Sequence, residues 1–421
     1  MNNKEVSIFC GGRGSSAIIK AILKYNFKKI NIILNTYDDG LSTGAIRKLI
    51  PGIVGPSDIR KNVNVFLKYN KEDLLTQFLD FRLPDNSQIR ILHTIIDMLQ
   101  KNTDYLEKTP LNLMKLYNII SEIEFKNSDK IINFIFIFWK YFNKRKCLDV
   151  SDFTIGNIIF AGIYLTLKNN EKTIRQYTKL FINNSKFNIY DINCRGSLYL
   201  CALKTNGELL PDEYSITTQQ SKYKISNLFF LKRPLSEKQI EHLNKTNFKI
   251  NYLESLNIQP VISKDVKKAL VKSSIIIYGP GTQHSSLYPS YMTKGVKEII
   301  YKKKYTMKVF ILNLTKDNDI TSFSATDIIK GFMKYIGCNH CLHKFINYVL
   351  YTPLEDENAL IKKDEKILKY YNNINWIGGN FTDQFNNSIH NGDLIIKTII
   401  NLYKVFREKQ ILSRSLYKIS L

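Results

Sequence analysis

The chain has no apolar run that reaches the ~18 residues needed to cross a bilayer. Its nearest stretch, Ile131 to Trp139, is interrupted by Asn133 and closed by Lys140, so no membrane partner is expected. No signal peptide is expected either, because Val6 to Cys10 already reads as a core strand, and a cytoplasmic location is expected. Cysteine is scarce, with six in 421 residues, and in such a compartment these do not read as a disulfide framework. Cys338-Asn339-His340-Cys341-Leu342-His343 is the one spacing suited to zinc, but no second Cys/His pair completes a tetrahedral site. A structural helix end after Gly337 is the preferred reading there. There is also no Ser-His-Asp order, no activated cysteine and no internal repeat, and glycine is absent from residues 71 to 150.

Negative charge is under-represented, with 37 acidic against 61 basic side chains and a formal net charge of +24. A basic face can bind polyanions by counterion release. Here, however, the lysines are scattered among Asn, Ile and Tyr, and only Lys302-Lys303-Lys304 forms a run. Nucleic acid is therefore not expected as the main ligand, while a scaffold role for an acidic partner stays open. With 44% hydrophobic residues the chain can bury a large core, as one elaborated domain or two to three smaller ones. A homo-oligomer is compatible with all of this.

What is present is a series of glycine turns at strand ends. The strand Val6 to Cys10 leads through Gly11-Gly12-Arg13-Gly14 into a helix with Ile18, Ile19, Ile22 and Leu23 on one face. A second strand, Ile30 to Leu34, delivers the loop Asn35-Thr36-Tyr37-Asp38-Asp39-Gly40-Leu41-Ser42-Thr43-Gly44. This is a right-handed βαβ unit with a parallel sheet. A proline and glycine loop then ends at Pro56-Ser57-Asp58-Ile59-Arg60, where Ser57 or Asp58 can cap a helix. The buried strand Ser274 to Tyr278 runs into Gly279-Pro280-Gly281-Thr282, and a further strand, Val309 to Leu314, precedes a polar loop. The predicted fold is α/β, a doubly wound, mostly parallel Rossmann-like sheet with a helical insertion.

The predicted organisation divides the core into residues 1–70 and 151–345, with the helical insertion at 71–150 and a C-terminal helical extension at 346–421. A small β subregion is expected near 194–235, where Asn206-Gly207 signals a hairpin between Leu203 and Leu209. Asn391-Gly392-Asp393 opens a last amphipathic helix.

Glycine lets backbone N–H groups approach an anion, so the turns around Gly12, Gly40 and Gly281 together predict a phosphate cradle at the topological switch point of the sheet. The phosphate and nucleotide candidates are Gly11, Gly12, Arg13, Gly14, Ser42, Thr43, Gly279, Gly281 and Thr282. Arg13 can clamp phosphate bidentately, and Ser42 and Thr43 can donate hydroxyl hydrogen bonds. Asp38 or Asp39 can hold Mg2+ or a ribose hydroxyl, with a turn cap as the alternative. Asp58 and Arg60 form a supporting loop, and His284 and Ser285 sit where a helix N-terminus would face the crevice. No tightly bound organic cofactor is predicted, and the expected ligand is a small-molecule nucleoside diphosphate derivative.

These motifs, taken together with Ile155-Gly156-Asn157, Ser285-Ser286-Leu287-Tyr288-Pro289 and Thr321 to Asp327, resemble the CofD-like superfamily over residues 5 to 65 and 150 to 340. That superfamily contains 2-phospho-L-lactate transferase and the gluconeogenesis-factor proteins. The Asp-Asp-Gly-x-Ser-x-Gly and Pro-x-Asp-Ile-Arg pair is closer to the second branch, which implies UDP-sugar binding in a regulatory role. In that setting Asn157 would support the sugar. The transferase branch implies instead a Mg2+-dependent transfer from a nucleotide-activated 2-phospholactate to a deazaflavin alcohol. The chain departs from both branches. Arg13 replaces a Gly or Thr, Leu41 replaces a glycine, and residues 71–150 find no counterpart.

Overall fold

The computed structural model describes all residues except 12–13, 101–110, 146, 339, 356–357, 362–373 and 420–421, and the side chains of 413–419 are likewise outside the description. Gly12 and Arg13 therefore lie outside the described residues. The chain divides into two compact units, Met1–Asn35 with Lys186–Leu421, and Thr36–Ser185.

The first unit holds β1 (Glu5–Phe9), β2 (Lys29–Leu34), β3 (Phe187–Asp191), β4 (Tyr199–Lys204), β5 (Leu209–Leu210), β6 (Ile225–Leu231), β7 (Ile275–Tyr278), β8 (Met307–Ile311), β9 (Tyr348–Tyr351) and β10 (Asn375–Gly378). Seven of these make one sheet in the order β10-β9-β8-β7-β1-β2-β3, with every pairing parallel. Val6 sits between Ile30 and Ile275 in register, and β1, β2, β7 and β8 are almost wholly buried. That burial is why these strands read as unbroken apolar runs rather than alternating ones. From β1 the chain steps outward to β2 and β3, then crosses back to β7 and proceeds to β8, β9 and β10. The switch point falls between β1 and β7, where the two connections leave in opposite directions.

The remaining strands form an antiparallel sheet, β5-β4-β6. Leu203 pairs with Leu209 across the Asn206-Gly207 turn, in which Gly207 takes a φ of +81° that glycine adopts without penalty. Cys201, Leu203, Phe229 and Leu231 pack there on Leu243 and Leu253.

The structure draws two boundaries elsewhere than the sequence reading does. The predicted insertion spans 71–150, whereas the compact unit Thr36–Ser185, built from helices among its described residues, extends beyond it on both sides. Its helix Ile155–Leu167 packs on Ser128–Phe142, on Asn170–Phe181 and on Ser57–Tyr69 in this unit. The 346–421 segment is not only helical either, since it supplies β9 and β10 before its long helix Gly392–Ile419. Tyr348, Val349 and Leu350 are buried against β8, which a short run in a lysine- and asparagine-rich tail did not reveal. Gly392 is required at the start of the last helix, since a Cβ there would lie 2.1 Å from the carbonyl oxygen of Ala17.

The same logic governs the helical unit. A Cβ on Gly162 would stand 2.0 Å from the Phe134 carbonyl oxygen, so the helices Ile155–Leu167 and Ser128–Phe142 meet backbone to backbone. Gly162→Ala must separate them, and a loss of about 2 kcal/mol or more is expected by chemical denaturation. An unchanged midpoint would show that the helix pair has room to adjust.

Candidate functional site

In the first unit the site grows from the carboxyl ends of β1 and β7. Gly14 packs against the second loop so closely that a Cβ would lie 2.9 Å from Gly281 Cα and 3.0 Å from the Pro280 oxygen. A Cβ on Gly279 would meet Ser15 Oγ at 2.6 Å, and one on Gly11 would meet Ser286 at 2.7 Å. Ser15 Oγ donates to the Pro280 carbonyl at 2.9 Å and locks the two loops together. The sequence-predicted Gly11, Gly14, Gly279, Gly281 and Thr282 are thus brought together.

Their amides are used differently from the expectation. The Gly279 N–H donates to Phe9 O at 2.9 Å, continuing the sheet ladder, so Gly279 contributes closeness rather than a donor. The Gly281 N–H donates to Asn313 Oδ1 at 3.2 Å, and Asn313 Nδ2 returns a bond to Gly281 O at 3.1 Å. Gly281 has a φ of +146°, which explains glycine there even though a Cβ would find open space. Asn313 also accepts from Gln283 Nε2 and donates to Asp317 Oδ2 at 2.9 Å. Beyond Thr282 the chain makes a wide i to i+5 turn, with Leu287 N–H donating to Thr282 O, a geometry often found at functional sites.

His284 does not face outward. It is buried, and its N–H and Nδ1 both meet Asp319 Oδ2, at 2.7 and 3.3 Å. Ser285 and Ser286 present their carbonyl oxygens to Asn35 Nδ2. Burial, the neighbouring Asp319 and little else raise the Asp317 carboxyl to about 6, against a compensating hydrogen bond from Asn313.

In the second unit Asp38, Ser42, Thr43, Asp58, Arg60 and Asn157 converge. Gly55 and Gly44 allow this, since a Cβ on either would strike the carbonyl oxygen of Asp38 or Asp39, at 2.6 and 1.9 Å. Asp38 Oδ1 accepts from the Gly40 N–H at 3.1 Å. Its carboxyl is pushed above the usual range by burial and by Asp58, with Lys61, the Gly40 N–H and Ser57 opposing. Neither Ser57 nor Asp58 caps its helix. The Ser57 hydroxyl pairs with Thr43 Oγ1, and Asp58 with Lys61 at 2.9 Å. Arg47, almost fully buried, holds the loop by donating to the carbonyls of Tyr37 and Asp38.

Arg60 runs against Gly156, where a Cβ would lie 2.7 Å from its Cδ, and faces Asp80 at 3.3 Å. Burial lowers its affinity for the proton, and Asp80 opposes that effect. Asn157, fully buried, donates to Ser42 Oγ at 3.4 Å and leaves its Oδ1 without a partner.

Sequence reasoning missed Asn313, Asp317, Asp319 and Lys61. Asn313 is hidden in the sequence because the apolar run Val309 to Leu314 passes through it, whereas β8 ends at Ile311. Lys61 was lost among 61 basic residues. No group of three or more metal-ligating side chains occurs among the described residues. Cys338 and Cys341 bring their Sγ atoms within 3.3 Å, directly after the left-handed Gly337 that ends helix Ala325–Ile336.

The fold and these loops define a doubly wound α/β protein with a cluster of polar loop residues in each unit. More particularly, the family model described as 2-phospho-L-lactate transferase CofD matches residues 6–376, and the chain belongs to that family. It is 21% identical over 97% of its length to a "Putative gluconeogenesis factor" of Streptococcus pyogenes serotype M3, covering 100% of that protein. It is also 21% identical to a gluconeogenesis factor of Halalkalibacterium halodurans, over 80% of this chain and 75% of the other. The crystal structure of protein BH3568 from Bacillus halodurans superposes with a TM-score of 0.63 at 18% identity, covering 94% of this chain and 99% of that one, and shares the fold.

The raised Asp317 carboxyl has a consequence for stability. Its folded value, about 6, exceeds the ordinary 3.8, so the folded state holds the proton more tightly and stability is lost as pH rises from about 4 through 6. The full shift would correspond to about 3 kcal/mol, reduced by partial exposure. Asp317→Asn should therefore stabilise the protein by about 1–2 kcal/mol at pH 7.5 and hardly at all near pH 4. Urea titrations at the two pH values would reveal it, and equal stability of both proteins at pH 7.5 would refute it.

Proposed function

We propose that the chain binds a nucleoside diphosphate derivative, a UDP-sugar, and does so in a regulatory role like that implied by the name of its gluconeogenesis-factor relatives. The observation that carries this reading is the backbone contact of Gly14 with Gly281 at the switch point, the place where open α/β sheets take nucleotides. The loops after β1 and β7 would receive the diphosphate. By the family resemblance, and within the second unit taken by itself, Asp38 or Asp39 would take a ribose hydroxyl or Mg2+, and Asn157, with its buried acceptor oxygen, would serve the sugar. No helix among the described residues is long and apolar enough to cross a membrane.

A second reading, phospho-group transfer, is favoured by one observation. Burial, and then the neighbouring Asp58, push the Asp38 carboxyl above its ordinary range, so two aspartates stand close together there. Two carboxylates suit Mg2+, which usually completes its shell with water and substrate phosphates. When bound, the ion would neutralise charge developing on the transferred phosphate. Lys61, paired with Asp58 at 2.9 Å, stands beside this carboxylate pair.

Isothermal titration of UDP-glucose, UDP and GDP, each with and without MgCl2, separates the readings. Micromolar UDP-glucose binding, weakened about tenfold or more in Asp38→Ala, supports the first. Mg2+-dependent guanosine binding with turnover of activated 2-phospholactate and a deazaflavin alcohol supports the second. Silence with every uridine and guanosine diphosphate would remove both.

A further inference from the structure

Leu41 occupies a conformation that its side chain disfavours and remains largely exposed there. Its φ is +43°, in the left-handed region, and its side chain is 69% exposed. A residue with a Cβ pays roughly 1–2 kcal/mol to stand there, and glycine does not. Burial cannot explain the choice, because an exposed leucine recovers little hydrophobic stabilisation. Strain of this kind persists where the surrounding structure or a function holds it.

The neighbours of Leu41 point to a ligand. Asp38 accepts from Gly40 on one side. On the other, Ser42 accepts from Asn157, whose fully buried Oδ1 has no partner of its own. Leu41 thus stands in the chain between Gly40, which binds the Asp38 carboxylate, and Ser42, which binds Asn157, and its exposed isobutyl group is an apolar surface in an otherwise polar loop. Of the surfaces that a nucleoside diphosphate offers, only the face of the base is broadly apolar.

We infer that Leu41 is a specificity-determining residue whose side chain packs on the nucleobase of the ligand, with its backbone strain offset by that contact. This inference rests on the nucleotide-binding reading above. Leu41→Gly, Leu41→Ala and Leu41→Met would be compared by differential scanning calorimetry and by isothermal titration with UDP, UDP-glucose and pyrophosphate.

Leu41→Gly should melt about 1–3 °C higher than the parent, because the strain is relieved. It should nevertheless bind UDP and UDP-glucose about five- to tenfold more weakly, with pyrophosphate binding unchanged. Leu41→Ala should show the same binding loss without the gain in melting temperature. Leu41→Met, which keeps an apolar chain, should bind like the parent.

Leu41→Gly or Leu41→Ala binding UDP as tightly as the parent would overturn the inference while leaving the nucleotide reading intact, and so would an equal loss for pyrophosphate. Failure of the parent itself to bind any of the three would overturn both.

Discussion

The approach of Gly14 to the Pro280–Gly281 backbone is the constraint from which the first unit's site follows. Strands β1 and β7 are hydrogen-bonded neighbours, so they lie about 4.8 Å apart and their loops emerge side by side. Two loops that close can pass only where one carries no side chain, and Gly14 and Gly279 meet that need from opposite sides. The contact requires β1 and β7 to be adjacent, which in turn requires the chain to reverse direction across the sheet. The glycines are therefore a signature of topology before they are a signature of any ligand. The Gly279 amide, committed to Phe9, makes the point at the level of a single atom.

Electrostatics add a second pattern. In a chain with a net charge of +24, the carboxylates that matter are the ones kept away from easy neutralisation. Asp38 and Asp317 are both raised, in each case chiefly by burial and then by a second aspartate. Such arrangements cost stability, and they concentrate where a protein has a use for a carboxyl group held off its ordinary range. The two differ in what opposes the cost. Lys61 stands by Asp38, whereas Asp317 relies on the neutral amide of Asn313.

Much of this was legible from residue order. The runs Val6 to Cys10, Ile30 to Leu34 and Ser274 to Tyr278 announced buried parallel strands because both faces of the sheet are covered, and the Asn-Gly pair announced its hairpin because few residues accept a positive φ. The short strands β9 and β10 were not legible, since four residues in a lysine-rich tail carry no period. Nor was the extent of the helical unit, because its boundaries are set by which helices bury one another. At the site, sequence spacing identified the loops but not their internal partners. Asn313 lies 32 residues from Gly281, and nothing local to either announces the bond. His284 illustrates the converse, since a residue placed at a promising loop turned out to be directed inward at Asp319.

The loops of the two units also differ in how they are prepared. Asn313 satisfies the N–H and the carbonyl of Gly281 with a single side chain and ties the same loop to Gln283 and Asp317. A loop cross-braced in this way pays its ordering cost during folding, so a ligand that meets it need not pay that cost again. The Asp38–Ser42 loop is braced at its backbone by Arg47 but carries at Leu41 a residue unsuited to its conformation.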